Sequence, residues 1–159
     1  MPTIVIASPK GGAGKSTTSV ILATELALAG AGVSLLDCDP NGSVELWSER
    51  GHIPTGIDVL VGVPEAEIVK TIKRLDVDGH IVIIDLEGVA SRLVSRAISQ
   101  ADLVITPMRA TTLDATIGVR ALQLIEEEEE ALNRKITHAV VFTMTRAIRS
   151  KQQKGIHQS

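Results

Sequence analysis

Short apolar runs alternate along the chain with longer segments whose apolar residues recur at helical spacing. The short runs are rich in Ile, Val and Leu, a composition typical of strands buried on both faces of a parallel sheet. They predict strands at residues 3–7, 33–37, 57–61, 81–85, 103–107 and 137–142.

The segments between these runs predict helices. The first begins at the glycine-rich loop after residue 7 and runs to about Ala29, where Gly30 or Gly32 stops it. A second takes Pro64 as its first residue and continues through Leu75. Further helices are predicted by the apolar stripe of Val89, Leu93, Val94, Ala97 and Ile98, and by the pattern between Thr111 and Asn133.

This alternation predicts an α/β fold: a parallel sheet with right-handed crossovers and helices on both faces, in three α/β/α layers. With 159 residues and no internal repeat, the chain is expected to form a single domain over residues 1–159. No apolar stretch approaches the roughly 18 to 20 residues that cross a bilayer, so no membrane association is expected.

Composition narrows the function further. Trp47 and Phe142 are the only aromatic residues, which argues against a reader of single-stranded nucleic acid built on stacking platforms. The single cysteine, Cys38, excludes an internal disulfide and a cysteine metal cage within one chain, and favours the cytoplasm. A formal net charge of −3 provides no overall attraction to nucleic acid.

The first strand leads into a glycine-rich segment, residues 8–17, which we call the phosphate loop. A strand, a glycine turn and a helix start direct several backbone N–H groups into one concavity that accepts polyphosphate. The strict pattern G-x-x-x-x-G-K-[ST] would need glycine at Pro9, so this loop is a variant, with a second lysine, Lys10, near its start. The predicted nucleotide-binding residues are Gly11, Gly12, Ala13, Gly14, Lys15, Ser16 and Thr17.

Two roles in this loop follow from its chemistry. Lys15 is predicted to reach the β- and γ-phosphates, and the Ser16 hydroxyl to ligate Mg²⁺. A dinucleotide-binding turn is the rival interpretation, and Asp37 could imitate its acidic residue. It fails because Thr17 stands where the third glycine belongs.

Carboxylates follow two predicted strands, at the sheet edge where ligands of such folds bind. Asp37 and Asp39 follow the second strand and Asp85 ends the fourth. An acid there can hold Mg²⁺ directly or through its water shell, so Ser16, Asp37 and Asp85 are the predicted metal residues. For all three acids the alternative is a carboxylate that caps the next helix.

With Lys10 to Ser16, Asp37 to Pro40 and Asp85 in this order, the chain resembles the ParA/MinD superfamily of deviant-Walker P-loop ATPases. The stretches 39–41, 85–88, 107–108 and 143–146 resemble ParA-type plasmid partition proteins of α-proteobacteria. The resemblance implies Mg²⁺ and ATP or ADP as cofactors, slow hydrolysis, an ATP-driven sandwich homodimer and a partner protein that stimulates turnover.

The resemblance also assigns residues. Lys10 would cross the dimer interface to the partner's phosphates, Asp39 would belong to the region that orients the attacking water, and Asp85 would be the carboxylate beside the metal. Lys10, Lys15 and Asp39 are therefore the predicted catalytic residues. Asn41 departs from the glutamine that family members more often have after Asp-Pro, and family members continue beyond the position of Ser159 with a further strand and helices.

Three functions remain open from the sequence: a ParA-like switch in DNA segregation, a nucleotide-binding module that does not cycle, and a P-loop metabolic enzyme. Weak, nonspecific DNA binding is expected of the first. DNA would contact a basic cluster without acidic residues, formed by Arg146, Arg149, Lys151 and Lys154. A frayed polar terminus explains this tail equally well.

Overall fold

The structure is a computed structural model that describes residues 2–77, 79–88 and 91–145, with the backbone alone for residues 112–115 and 117. Predicted residues Val89, Arg146, Arg149, Lys151 and Lys154 lie outside this part of the chain. Across the described ranges no helix is both long and apolar enough to cross a membrane.

In the part of the chain that the structure describes, six strands form one parallel sheet in the order β3-β2-β4-β1-β5-β6. Each predicted strand is confirmed, with its observed ends within two residues of those expected. The strands are β1 (Thr3–Ile6), β2 (Gly32–Cys38), β3 (Ile57–Val61), β4 (His80–Leu86), β5 (Leu103–Arg109) and β6 (Thr137–Thr143).

Within the described residues, five α-helices connect the strands. They are α1 (Lys15–Leu28), α2 (Ser43–Arg50), α3 (Ile68–Arg74), α4 (Arg92–Ile98) and α5 (Thr112–Leu132), and a short 3₁₀ turn, Glu65–Glu67, precedes α3. After α1 the chain reverses at Gly30, whose φ of 93° lies in the left-handed region open to glycine. Gly30, rather than Gly32, is therefore the stop.

The start of α3 differs from the sequence prediction. Pro64 has φ −62° and ψ 143°, so it is extended and precedes the 3₁₀ turn instead of occupying the first helical position. The α-helical hydrogen bonding begins only at Ile68, the first fully buried residue of this segment. Burial of the apolar face, more than the proline, fixes where this helix begins.

The sheet separates two aliphatic cores, which confirms the three-layer arrangement. On one face α1 and α2 cover Ile6, Val33, Leu35 and Ile83. On the other face α3, α4 and α5 cover a second set that includes Val5, Leu36, Val82, Ile84 and Val104. Because all strands run in one direction, their carboxyl ends meet at one edge, where β1 lies between β4 and β5.

Candidate nucleotide-binding site

The phosphate loop connects β1 to α1 at the carboxyl edge of the sheet. Gly12 and Gly14 have φ values of 71° and 90°, a left-handed backbone that other L-residues rarely adopt. Gly14 precedes the helix without any side-chain cap, and its carbonyl accepts the hydrogen bond from the Thr18 N–H at 2.9 Å. The first N–H groups of α1 consequently remain available to an anion.

The predicted cationic and hydroxyl groups lie at this helix start. The Lys15 side chain is only 7% exposed, and Ser16 is half-buried. Around the loop, a cleft of about 460 Å³ is lined by Gly11, Gly12, Gly14, Lys15, Ser16, Thr17, Asp39, Asn41, Ser43, Glu87, Gly88 and Met144. Seven sequence-predicted residues thus meet in one open cleft.

Two predicted loop residues lie elsewhere. Ala13 is 3% exposed and, together with Lys10, lines a small gap beside Pro9, Thr106 and Met108. Lys10 is half-buried and does not belong to the described lining of the cleft that contains Lys15. The two lysines of the loop therefore occupy different sides of it.

Asp85 lies beneath the loop on β4, paired in register with Ile6 of β1 and Asp37 of β2. Its side chain is fully buried. One oxygen, Oδ1, accepts a hydrogen bond from the Ser19 hydroxyl at 3.1 Å, whereas Oδ2 is buried without any hydrogen-bond partner among the described residues. A buried carboxylate oxygen left unpaired carries a substantial desolvation cost.

Burial raises the pKa of Asp85 from its ordinary value of 3.8 to about 6. The hydroxyl groups of Ser16 and Ser19 oppose this shift, and the charges of Asp37 and Asp39 add to it. Burial, with smaller contributions from the charges of Asp37 and Asp85, raises the pKa of the Cys38 thiol to about 12, so the reactive thiolate form is disfavoured.

The oxygens around Asp85 fit a magnesium ion. Mg²⁺ prefers hard oxygen ligands, keeps several waters, and needs only one or two carboxylates beside the substrate phosphates. The unpaired Oδ2 and the nearby Ser16 hydroxyl provide that chemistry. Among the described residues, no group of three or more His, Cys, Asp or Glu side chains could hold a metal ion.

Unlike Asp85, Asp37 accepts hydrogen bonds on both of its carboxylate oxygens. Its Oδ2 accepts the N–H groups of Val44 and Glu45 at 3.0 and 2.8 Å, and its Oδ1 accepts the N–H of Asp39 at 3.2 Å. These contacts bind Asp37 to the first turn of α2, as expected of a helix cap. The metal role predicted for Asp37 stays a prediction, and this geometry favours the capping alternative.

Asp39 is half-buried at the cleft. Its Oδ1 accepts hydrogen bonds from the Asn41 N–H and side-chain amide at 2.9 and 2.7 Å. Asn41 therefore orients the Asp39 carboxylate. A carboxylate held in this way is a candidate for orienting water.

Sequence reasoning missed two side chains that hold the loop from outside. Arg109 donates from Nε and Nη2 to the Gly12 carbonyl at 3.2 and 2.7 Å, and Thr143 Oγ1 donates to the Ala13 carbonyl at 2.7 Å. Both residues end strands, at β5 and β6. The signal that marks them is their position, since ligand sites of parallel sheets gather at the carboxyl ends of the strands.

A nucleotide-sized cleft at a glycine loop between the first strand and first helix of a parallel sheet, with a buried carboxylate below, defines a P-loop nucleoside-triphosphate-binding domain. The family model for the CobQ/CobB/MinD/ParA nucleotide-binding domain matches residues 4–155. The chain belongs to this family.

Relatives agree with this placement. The chain is 64% identical to Protein ParA of Rhizobium radiobacter over 160 aligned residues, which cover 100% of this chain and 72% of that protein. It is 30% identical over 119 residues to the maintenance of carboxysome distribution protein A of Gloeobacter kilaueensis, covering 75% of this chain and 54% of that protein. Both relatives are thus longer than the chain.

Solved structures share the fold. A Mycobacterium smegmatis cobyrinic acid a,c-diamide synthase with bound ATP analogue and magnesium has a TM-score of 0.84 at 19% identity, over 99% of this chain and 80% of that chain. A plasmid partition protein of Borrelia burgdorferi has a TM-score of 0.72 at 22% identity, over 99% and 83%. At these identities the similarity concerns the fold alone.

Proposed function

We propose that the chain is the Mg-ATP-dependent ATPase switch of a ParA-type partition system. The observation that carries the proposal is the phosphate loop placed directly above Asp85, whose buried Oδ2 has no protein partner among the described residues. A metal-bound nucleoside triphosphate would satisfy both features at once, because its phosphates suit the loop N–H groups and its cation suits the carboxylate.

Each residue then has a distinct task. Lys15 would neutralise the β- and γ-phosphates, while Ser16 and Asp85 would hold Mg²⁺, which would supply positive charge beside the transferred phosphoryl group. Asp39 orients the attacking water from the open side of the cleft. Lys10 acts across the interface of an ATP-driven homodimer. Its position outside the described lining of the cleft that contains Lys15 supports this role.

The 64% identity to Protein ParA supports the partition role. A partner protein that stimulates hydrolysis is part of this proposal, as the family resemblance implies. DNA binding is expected to be weak and independent of sequence, since the net charge is −3 and phosphate contacts carry no sequence information. A domain that binds nucleotide without hydrolysing it is the alternative, and turnover separates the two.

The test measures nucleotide binding and phosphate release by the same variants. In calorimetry with Mg-ADP, Lys15→Ala should bind roughly 10 to 100-fold more weakly, because a charge-assisted hydrogen bond contributes about 1.5–3 kcal/mol. Lys70→Ala, at an exposed lysine on α3, is the matched control and should bind like the parent.

Turnover is followed in the same preparations. Asp39→Ala should retain Mg-ATP binding and lose most of the phosphate release. Equal binding by the parent and Lys15→Ala would refute the site, whereas tight binding by the parent with no turnover would favour the module that does not cycle.

A further inference from the structure

Arg109 and Thr143 hold two consecutive carbonyl groups of the phosphate loop. Their Cα atoms are partners in the β5–β6 register, and the carbonyls that they contact belong to Gly12 and Ala13. Neighbouring residues on two strands thus hold neighbouring peptide groups of the loop. Neither side chain lies in a predicted catalytic or metal position.

The orientation of these carbonyls determines where the following N–H groups point. In a planar trans peptide the C=O and the next N–H point in opposite directions, and the described peptide bonds here are trans. Arg109 binds the Gly12 carbonyl and does not belong to the described lining of the cleft, so the Ala13 N–H of the same peptide group points away from Arg109. Thr143 binds the Ala13 carbonyl, so the Gly14 N–H of that peptide group points away from Thr143.

Without an anion this arrangement is costly. N–H groups that converge on one concavity repel each other through their partial positive charges. Gly12 and Gly14 lack side chains that would restrict rotation, so the peptide groups beside them rotate readily. An outside contact on each carbonyl opposes that rotation before a ligand arrives.

The two contacts are specific in form. Arg109 donates twice to one oxygen, from Nε and Nη2. Thr143 Oγ1 is 2.7 Å from the Ala13 carbonyl and 3.3 Å from that of Met108, and its single proton serves the closer acceptor. A Cβ added at Gly14 would lie 3.3 Å from Thr143 Cγ2, so the loop packs closely against this residue.

We propose that Arg109 and Thr143 are positioning residues that hold the empty phosphate loop in its anion-binding conformation. The inference rests on the proposed nucleotide site, since it concerns how that site is prepared. A loop that is ordered in advance spares the ligand the entropy of ordering it, so the clamp contributes to nucleotide affinity without contacting the reacting atoms.

The experiment compares Arg109→Met, Arg109→Lys, Thr143→Val and Thr143→Ser with the parent. Met removes all donors from Arg109 at similar length, and Lys keeps the charge but cannot donate from two nitrogens in the same fork. Val replaces the Thr143 hydroxyl by a methyl group, and Ser keeps the hydroxyl. Arg96→Met is the control, because Arg96 also donates to a backbone carbonyl, that of Glu65, away from the loop.

Three readouts are taken: the Kd for Mg-ADP, hydrogen exchange of the loop amides without nucleotide, and the KM and kcat of turnover. Arg109→Met and Thr143→Val should raise Kd roughly tenfold, about 1.4 kcal/mol, and speed exchange at residues 11–16 in the empty protein. Thr143→Ser should match the parent, and Arg109→Lys should recover only part of the loss. In turnover, KM should rise while kcat changes little.

Affinity and exchange within twofold of the parent for both Arg109→Met and Thr143→Val would overturn the clamp. Full recovery by Arg109→Lys would also overturn it for Arg109, because charge alone would then explain the effect. If the parent binds no nucleotide, the proposed function fails, whereas the exchange measurement on the empty loop still decides the clamp. Thermal unfolding of every variant excludes a general loss of fold.

Discussion

Asp85 is an ionisable side chain placed where water does not reach it. Its Oδ2 is unpaired among the described residues, and burial raises its pKa to about 6. At neutral pH the carboxylate is therefore charged at a cost to the folded state. A cation beside it would remove that cost, which links the stability of the protein to metal binding.

This linkage predicts the effect of pH on Asp85→Asn. The pKa of Asp85 is raised on folding, so the parent has its full stability below about pH 4 and loses part of it as pH rises through 6. Asn does not titrate, so Asp85→Asn should gain up to about 3 kcal/mol relative to the parent between pH 4 and 7. Urea unfolding of the metal-free proteins measures the difference.

With Mg²⁺ and ADP present at pH 7.5, the parent should become more stable to unfolding than Asp85→Asn. The parent should be stabilised, while Asp85→Asn should need a much higher Mg²⁺ concentration for the same gain. A constant stability difference at all pH values, or identical Mg²⁺ titrations, would contradict the metal role of Asp85.

The sequence predicted that Asp85 would lie near the loop, because strand ends of a parallel sheet meet at one edge. It could not predict that Ser19 takes one carboxylate oxygen and leaves the other unpaired. That distinction depends on side-chain positions across α1 and β4. For the same reason Asp37 and Asp85 are similar in the sequence but differ in their contacts.

At the scale of elements, α2 shows how a strand can cap a helix. Gly42 precedes α2 without a side-chain cap, and Asp37, from the end of β2, accepts the N–H groups of Val44 and Glu45 instead. The carboxylate is 4% exposed. It therefore connects β2 to α2 through charge-assisted hydrogen bonds in a nearly dry environment.

Asp37→Ala is predicted to destabilise the fold without changing the Mg²⁺ requirement. Removing a buried acceptor leaves N–H groups of α2 unsatisfied, at a cost of about 1–3 kcal/mol in the free energy of unfolding. Denaturant unfolding and a Mg²⁺ titration of nucleotide binding measure the two effects. An unchanged stability with a raised Mg²⁺ requirement would instead make Asp37 a metal ligand, as the sequence suggested.

Element positions were predictable where burial decides them. The strands and α5 follow from aliphatic runs and helical spacing, whereas the start of α3 does not follow from Pro64. Glu129, within the glutamate run 126–130 of α5, accepts the Ile136 N–H at 2.7 Å and pairs with Lys135. Such a contact depends on how α5 meets β6, which spacing along one helix does not encode.

At the scale of the whole molecule, the strand order creates the site. Because β1 lies between β4 and β5, the phosphate loop has Asp85 on one side and Arg109 on the other. The sequence predicts which segments form strands but not which strands are neighbours in the sheet. It therefore predicted the loop and the acids, but not the contacts of Arg109 and Thr143 with the loop. The same order leaves β6 at the sheet edge, with Val140 and Val141 exposed.

The proposed target of Lys10 is a phosphate group bound to a second molecule of this protein. It adjoins Ala13 and Met108 and lies outside the described lining of the cleft that contains Lys15. In an ATP-bound dimer its ammonium group would add a charge-assisted hydrogen bond to the partner's phosphates. Each such bond contributes about 1.5–3 kcal/mol, and a symmetric homodimer contains two of them, so their loss should raise the dimer dissociation constant roughly 100 to 10,000-fold.

Lys10→Ala should therefore weaken dimerisation and turnover while the monomer binds Mg-ADP within about twofold of the parent. Sedimentation velocity with a slowly hydrolysed ATP analogue measures the dimer fraction over a concentration series. Lys15→Ala is the comparison, because it should lose nucleotide binding as well as the dimer. An unchanged dimer fraction together with unchanged turnover would remove Lys10 from the site. Weaker Mg-ADP binding by the monomer would instead indicate that Lys10 acts within its own subunit.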